Sequence, residues 1–470
     1  LTDPAYLDKL LEEELSDLNL AAKSGKQDGH LQTGGQIGGQ TGKDTQEKPG
    51  NHILIIDDDT RMLRILKEEL REKYNVATAV SGKIALNFLE KRKTDLILAS
   101  NISGKNNIYL KTENFQATGS FKVRGAAYKI SKLSDEEKAR GIIACSAGNH
   151  AQGVARAAQK EGIKCTICMP AGAPLSKVES TKSFGAEIVF VKDTYDDAYA
   201  KAVEIQKETG ATFVHPFNDE DVIAGQGTIG LEILEQLPET DAVIAAVGGG
   251  GLVSGLALAV KSIKPECKVY GVQSMNAPAM YNSFRAHQLM ASQSADTFAD
   301  GIAVKAPGNI TYDCISKYVD DIALATEDEI AAAVLMLLEK QKIVAEGAGA
   351  SPVAAAYFDK FNLAGKNIVC VISGGNIDVN ILNRVITRGM ILSGRRTSFT
   401  IAVPDKPGQL TTFSSIISEY GGNVIDIQYS SSDPLMPVNS CFVNLLVETR
   451  DANHAASIRA ALLAAGFNLV

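Results

Sequence analysis

The sequence predicts an α/β protein built on parallel sheets, with a small β-α-β-β-α-β module at its C-terminal end. Three observations carry this expectation. Between residues 107 and 394 short apolar runs alternate with helical stretches across glycine-rich turns, the pattern of strands covered by helices on both faces. From 397 to 470 the order changes to strand, helix, two strands, helix, strand, which is that of a ferredoxin-like module. Finally, 470 residues at 45% hydrophobic and 22% charged supply core material for several domains, roughly three at about 150 residues each, and exclude a disordered or fibrous chain.

Taken in order, residues 1–50 begin LTDPAYLDKLLEEEL, a short amphipathic pattern, and continue as GKQDGHLQTGGQIGGQTGKDTQEKPG. That Gly/Gln/Lys composition has little to bury and reads as a disordered leader and linker. NHILIIDDD (51–59) reads as a strand ending in acids, followed by a helix (60–73), the strand YNVATAV, the helix SGKIALNFLEKR and the strand TDLILAS. This is a βαβαβ segment over 51–100 with the spacing of parallel strands. The core expected over 101–394 contains the strands NIYLK, GIIACS, CTICMP, EIVFV, TFVHP, AVIAAV, KVYGVQS and NIVCVIS. The final module runs from RTSFTIAVPDKPGQL through NVIDIQYSSS, FVNLLVET and AASIRAALLAAG to FNLV.

Composition also bounds the partners. A net charge of −8, from 47 Lys+Arg against 55 Asp+Glu, lacks the basic footprint that nucleic acid requires. The 7 cysteines are odd in number and mostly lie in apolar runs, as expected of reduced thiols in a cytoplasmic protein. Cys165 and Cys168 form a CxxC, but within a strand these positions face opposite sides, so core cysteines are expected and no metal site. The acidic N-terminal stretch has no apolar h-region, so it does not read as a secretory signal. Ala242 to Val260 is 19 residues without a charge, long enough for a membrane span. The 4 consecutive glycines inside it argue instead for strand, turn and helix, and no membrane is expected.

Four segments at strand ends carry polar or glycine-rich sequences, where open α/β sheets bind ligands. TGSFKVRGAAY sets Lys122 among small and apolar residues; taken alone, it also reads as a solvated helix face. SAGNHAQGVA (146–155) enters a helix after a strand, with backbone N–H groups suited to a carboxylate. GGGGL (248–252) lies between strand and helix; such a tetrad is either a tight turn or a phosphate cradle. SGGN (373–376) follows the strand NIVCVI.

Together these four ordered motifs resemble those of the fold type II, tryptophan-synthase-β-like pyridoxal-phosphate enzymes, over about 107–470. Most closely they resemble threonine dehydratase, or threonine ammonia-lyase, with a single C-terminal ACT domain. The resemblance implies a two-lobed core and pyridoxal 5'-phosphate as cofactor. It implies that Lys122 holds the cofactor covalently, with Phe121 beside the ring and Asn149 bonded to the ring's phenolic oxygen. Ser146, Ala147, Gly148, Asn149 and His150 would hold the substrate carboxylate. Gly248, Gly249, Gly250, Gly251 and Leu252 would hold the phosphate, Ser373 would face the pyridine nitrogen, and Gly301 and Glu346 would line the pocket. The reaction implied is deamination of L-threonine, and of L-serine, to 2-oxo acids. It would serve isoleucine biosynthesis or threonine catabolism, in a homodimer or homotetramer.

Related enzymes differ at identifiable positions. Cysteine and threonine synthases usually carry K-D-R where this chain has Lys122, Val123 and Arg124. Serine racemases place a serine, the acid and base of the second face, at the position of Ala147, and cation-binding carboxylates at those of Gln273 and Ala279. A monovalent cation is left open. In the C-terminal module, Asp405 and Gly408 lie in the turn after the first strand, where ACT domains bind amino acids; a branched-chain amino acid is the expected effector.

Two departures are expected. The helix and R-T-P-L-like strand that precede NIYLK in this family are not found, and residues 51–98 instead resemble half of a response-regulator receiver domain. Asp57 and Asp58 match its acidic pair, while Ala99 and Ser100 stand where the phosphate-accepting aspartate would be. A fusion with a disabled core, acting as a ligand-sensing or phospho-signalling protein, is therefore the alternative function.

Overall fold

The computed structural model describes residues 52–56, 75–79, 96–99, 102, 104–192, 194–430 and 437–470, the first two spans by their backbone. The leader over 1–50, Asp57, Asp58, Ser100 and the helices expected at 60–73 and 81–92 lie outside the described residues.

Two sheets, parallel except at the edge strand β3, form the body of the molecule. The larger has the order β11-β10-β9-β12-β4-β3, built from β3 (Leu96–Leu98), β4 (Asn107–Lys111), β9 (Ala242–Ala246), β10 (Lys268–Ser274), β11 (Asp321–Ala325) and β12 (Asn367–Val371). The smaller is β7-β6-β5-β8, from β5 (Ile142–Cys145), β6 (Cys165–Pro170), β7 (Glu187–Val191) and β8 (Thr212–Phe213). Strands such as β5 and β9 are buried at every position, because helices cover both faces. The uncharged run from Ala242 becomes β9, the glycine turn and the helix Gly251–Ile263. Among the described residues no helix is long and apolar enough to cross a membrane. Cys165 and Cys168 are buried in different apolar clusters on opposite faces of β6, as their spacing in a strand predicts.

The N-terminal part differs from expectation. β1 (His52–Ile56) and β2 (Asn75–Ala79) pair in parallel. The third expected strand does not join them: β3 pairs antiparallel with β4, Leu96 opposite Lys111 and Leu98 opposite Tyr109. Its neighbours Ala99 and Ile102 are both 1% exposed, in the core of the larger sheet. Burying these side chains against an existing sheet removes more apolar surface from water than a lone two-stranded ribbon offers. A strand therefore does precede NIYLK, and it does not close a βαβαβ segment over 51–100.

The C-terminal residues form β13 (Arg396–Pro404), a helix, β14 (Asn423–Ser430), β15 (Ser440–Glu448), a helix and β16 (Asn468–Leu469). The sheet order is β14-β15-β13-β16, with every pair antiparallel. Phe399, Ile401, Val403, Phe413 and Ile458 fill one face.

Small residues let the helices beneath the larger motifs approach closely. A Cβ on Gly225 would lie 2.6 Å from the Cα of Gly125, and one on Gly255 would lie 2.1 Å from the carbonyl oxygen of Ile223. The helix Glu220–Gln236 therefore touches, backbone to backbone, both the helix Lys122–Ser131 and the helix Gly251–Ile263.

Candidate active site

Lys122 opens its helix after Phe121, and its Nζ donates to the carbonyl oxygen of Pro216 at 2.8 Å. Burial lowers its pKa to about 8, with the Glu346 carboxylate pulling the other way. Near that pH about half of the amines are neutral and nucleophilic, a state that an exposed lysine rarely reaches.

The TGSFK and SGGN segments lie side by side. Phe121 N–H donates to Ser373 O at 3.0 Å, Gly375 N–H donates to Gly119 O at 2.9 Å, and Ser120 bridges Gly374. The Phe121 ring lies 5.2 Å from Lys122 Nζ, and Ser373 is buried at the end of β12. Asn149 is held at both ends of its amide: Nδ2 donates to Glu346 Oε1 at 2.7 Å, and Oδ1 accepts from Asn376 Nδ2 at 2.6 Å. Burial raises the pKa of Glu346, and Asp300 adds to the rise. Gly374 and Gly301 make room for this carboxyl, since a Cβ on either would come within 2.4 Å or 3.2 Å of its Oε1.

In the segment 146–150, Gly148 N–H donates to Ser146 Oγ at 3.1 Å, and Gly148 precedes the helix Asn149–Glu161 without a side-chain cap. His150 is turned inward, with Nε2 2.8 Å from the carbonyl oxygen of Val214. Burial, then the charge of Lys122, depresses its pKa to about 3. It is therefore neutral, with its proton on the Nε2 that meets a carbonyl. With its ring engaged in this way, His150 can meet an anion only through its backbone N–H.

The glycine turn Gly248–Gly251 opens the helix Gly251–Ile263, which no side chain caps. Gly250 has φ 98°, a conformation that disfavours other residues. Thr311 Oγ1 donates to Gly249 O at 2.6 Å, and Phe217 packs against Gly249 and Gly251. Leu252 is buried in the core behind the turn. Unsatisfied N–H groups at the start of a long helix attract an anion.

Asp405 and Gly408 belong to the C-terminal module and share no element with Lys122. Asp405 accepts a hydrogen bond from Tyr429 on the edge strand β14, and Gly408, at φ 93°, caps the following helix. Sequence analysis had not singled out Tyr429, Asn376, Pro216 or His215. Asn376 stood inside the recognised SGGN motif; the partner it orients is 227 residues away.

A half-neutral buried amine near an uncapped glycine cradle suits a cofactor bearing an aldehyde and a phosphate, and a neutral hydroxyl and an oriented amide suit its ring. Fold and site together define a cofactor-dependent α/β enzyme. The particular family follows from comparison: residues 88–374 match the family described as pyridoxal-phosphate dependent enzyme, and the chain belongs to it. Its cofactor is pyridoxal 5'-phosphate.

An L-threonine ammonia-lyase of Thermotoga maritima is 50% identical over 77% of this chain and 90% of its own length. A catabolic L-threonine dehydratase of Escherichia coli is 47% identical over 60% and 86%. Among solved structures, the processed threonine deaminase isoform 2 of Solanum lycopersicum matches with a TM-score of 0.62 and 34% identity over 72% of this chain and 91% of its own. Maize serine racemase matches at 0.60 and 32% over 71% and 98%. The family match begins at residue 88, ahead of the core boundary expected at 101 and inclusive of β3.

Proposed function

We propose that this protein is a threonine ammonia-lyase that converts L-threonine to 2-oxobutanoate and ammonia, and L-serine to pyruvate and ammonia. The single observation carrying the reading is Lys122, lowered to about 8 by burial, within a chain 50% identical to an L-threonine ammonia-lyase. The test is formation of 2-oxobutanoate from L-threonine by the purified, cofactor-loaded chain; no product above the uncatalysed rate would overturn it. The organised site favours this reading over the signalling alternative.

Lys122 Nζ would hold the cofactor covalently and, as a neutral amine, would serve as the base for the substrate's α-proton. The N–H groups of Gly248–Gly251 and Leu252 would bind the phosphate, and the segment of Ser146, Ala147, Gly148, Asn149 and His150 would bind the substrate carboxylate. Asn149, braced by Glu346 and Asn376, orients the ring through its phenolic oxygen. Phe121 packs beside the ring, and Gly301 and Glu346 shape the wall. When bound, pyridoxal phosphate supplies the electron sink for the α-carbon. Ser373 would offer the ring nitrogen a hydroxyl rather than a carboxylate, which would favour loss of the β-hydroxyl over racemisation. Ala147 has no proton to deliver to the second face. With L-serine, pyruvate is therefore expected to form at least tenfold faster than D-serine. A coupled pyruvate assay with chiral chromatography decides this, and D-serine in excess would sink the argument.

The C-terminal module is read as a sensor for a branched-chain amino acid at the turn of Asp405 and Gly408. Regulation needs different affinities in two states, so isoleucine or valine is expected to shift the half-saturating threonine concentration severalfold. Deleting 397–470 removes that shift and leaves cofactor binding in place. Identical saturation curves with and without each branched-chain amino acid would leave the module a dimerisation element. Ile425, Ile427 and Tyr429, exposed on β14, support a homodimer or homotetramer. Seven free cysteines, of which six are buried, support a cytoplasmic setting.

A further inference from the structure

The turn between β8 and the helix Glu220–Gln236 touches three parts of the site. Pro216 O accepts from Lys122 Nζ at 2.8 Å. Phe217 supports the glycine turn so closely that a Cβ on Gly249 would lie 2.4 Å from its ring, and one on Gly251 would lie 2.9 Å from its Cα. Asn218 Oδ1 accepts the Ile310 N–H at 3.0 Å, and its Nδ2 donates to Asn309 Oδ1 at 2.9 Å. It thereby anchors the helix whose Thr311 bonds Gly249.

One atom shapes this turn. His215 Nδ1 accepts the N–H groups of both Phe217, at 3.2 Å, and Asn218, at 2.8 Å. An accepting Nδ1 places the ring proton on Nε2. Burial, and then the charge of Lys122, lowers the imidazole's pKa to about 4, so the accepting form persists at neutral pH. The ring also meets Phe217 edge-on, with centroids 4.7 Å apart at 90°.

We infer that His215 is a positioning residue: its Nδ1 sets the peptides that present the Pro216 carbonyl to Lys122 and Phe217 to the glycine turn, joining the cofactor lysine to the phosphate cradle. This rests on the reading of Lys122 and Gly248–Gly251 given above. Asparagine side chains commonly accept N–H groups a short way along a turn, so asparagine reproduces the acceptor and leucine removes it.

The test titrates the full-length, cofactor-free chain with pyridoxal phosphate, following the visible band, with circular dichroism and kcat and KM for threonine on the same preparations. His215→Leu is expected to weaken cofactor binding at least tenfold and to lower kcat more than it raises KM. His215→Asn is expected to restore affinity to within threefold of the wild type. Wild-type affinity in a natively folded His215→Leu chain overturns the inference, as does an equal loss in the leucine and asparagine variants. Should His215→Leu not fold, His215→Gln, whose amide extends past the Nδ1 position, carries the same tenfold expectation. A wild-type chain that binds no pyridoxal phosphate would overturn the reading of Lys122 itself, and is recognised before any variant is made.

Discussion

Lys122→Ala is expected to abolish both the visible band of the lysine-bound cofactor and the deamination of threonine, with a loss in kcat of at least about 10³-fold. A positioned general base alone contributes about 10²–10⁴-fold, and Lys122 also supplies the covalent attachment. Its surroundings suit both tasks. Burial brings the amine to about 8 against the pull of Glu346, and its hydrogen bond goes to the uncharged Pro216 carbonyl. Cofactor can still dock in the variant through the glycine turn, so equilibrium dialysis should find weakened binding without the band. Retention of the band, or threonine turnover within tenfold of the wild type, would remove Lys122 from its role.

The parts of this molecule legible in the sequence are those whose physics is local. β5, β9 and β12 are apolar runs bounded by turn residues, and the glycine turn, the SGGN loop and the lysine motif act through backbone and immediate neighbours. β11 begins with Asp321 after Asp320 and is only half-buried, so its apolar pattern is too weak to mark a strand. β3 reads as a strand, but its three apolar residues do not specify a partner, and it pairs with β4 rather than with β1 or β2. The turn that holds Lys122 was beyond reach for a different reason: Pro216 is 94 residues from the lysine it meets. His150 shows the same limit, because its backbone position was legible while its side chain's bond to Val214, 64 residues away, was not.

The largest stability effect is expected from a second long-range assembly, directly behind Lys122. Arg124 forks onto both oxygens of Glu113, at 2.7 and 2.8 Å, and onto both oxygens of Glu232, at 2.8 Å each. Lys111 Nζ reaches Glu232 at 2.7 Å and Gln236 at 2.9 Å. Lys111 and Glu113 are fully buried, and the side chains of Arg124 and Glu232 are 11% and 13% exposed. Among the described residues, two cations thus meet two carboxylates in a place that solvates neither. Burial lowers the pKa of Lys111 despite Glu232. Burial also opposes the charge on Arg124, but its bonds to Glu232 and Glu113 outweigh it and raise the pKa. Arg124→Met keeps most of the side-chain volume but takes the guanidinium away from both Glu113 and Glu232, and removing one partner of a buried ion pair typically costs about 3–5 kcal/mol. The expected result is a urea midpoint lowered in proportion, at unchanged slope. Pairing the change with Glu113→Gln removes one charge of each sign from the cluster and should recover a substantial part of the loss, if the penalty lies in charge imbalance rather than in the missing contacts. If Arg124→Met denatured within about 0.5 kcal/mol of the wild type, the ordinary range of surface substitutions, the cluster would have no structural weight. If the double variant were no more stable than the single one, shape rather than charge balance would be what Arg124 contributes.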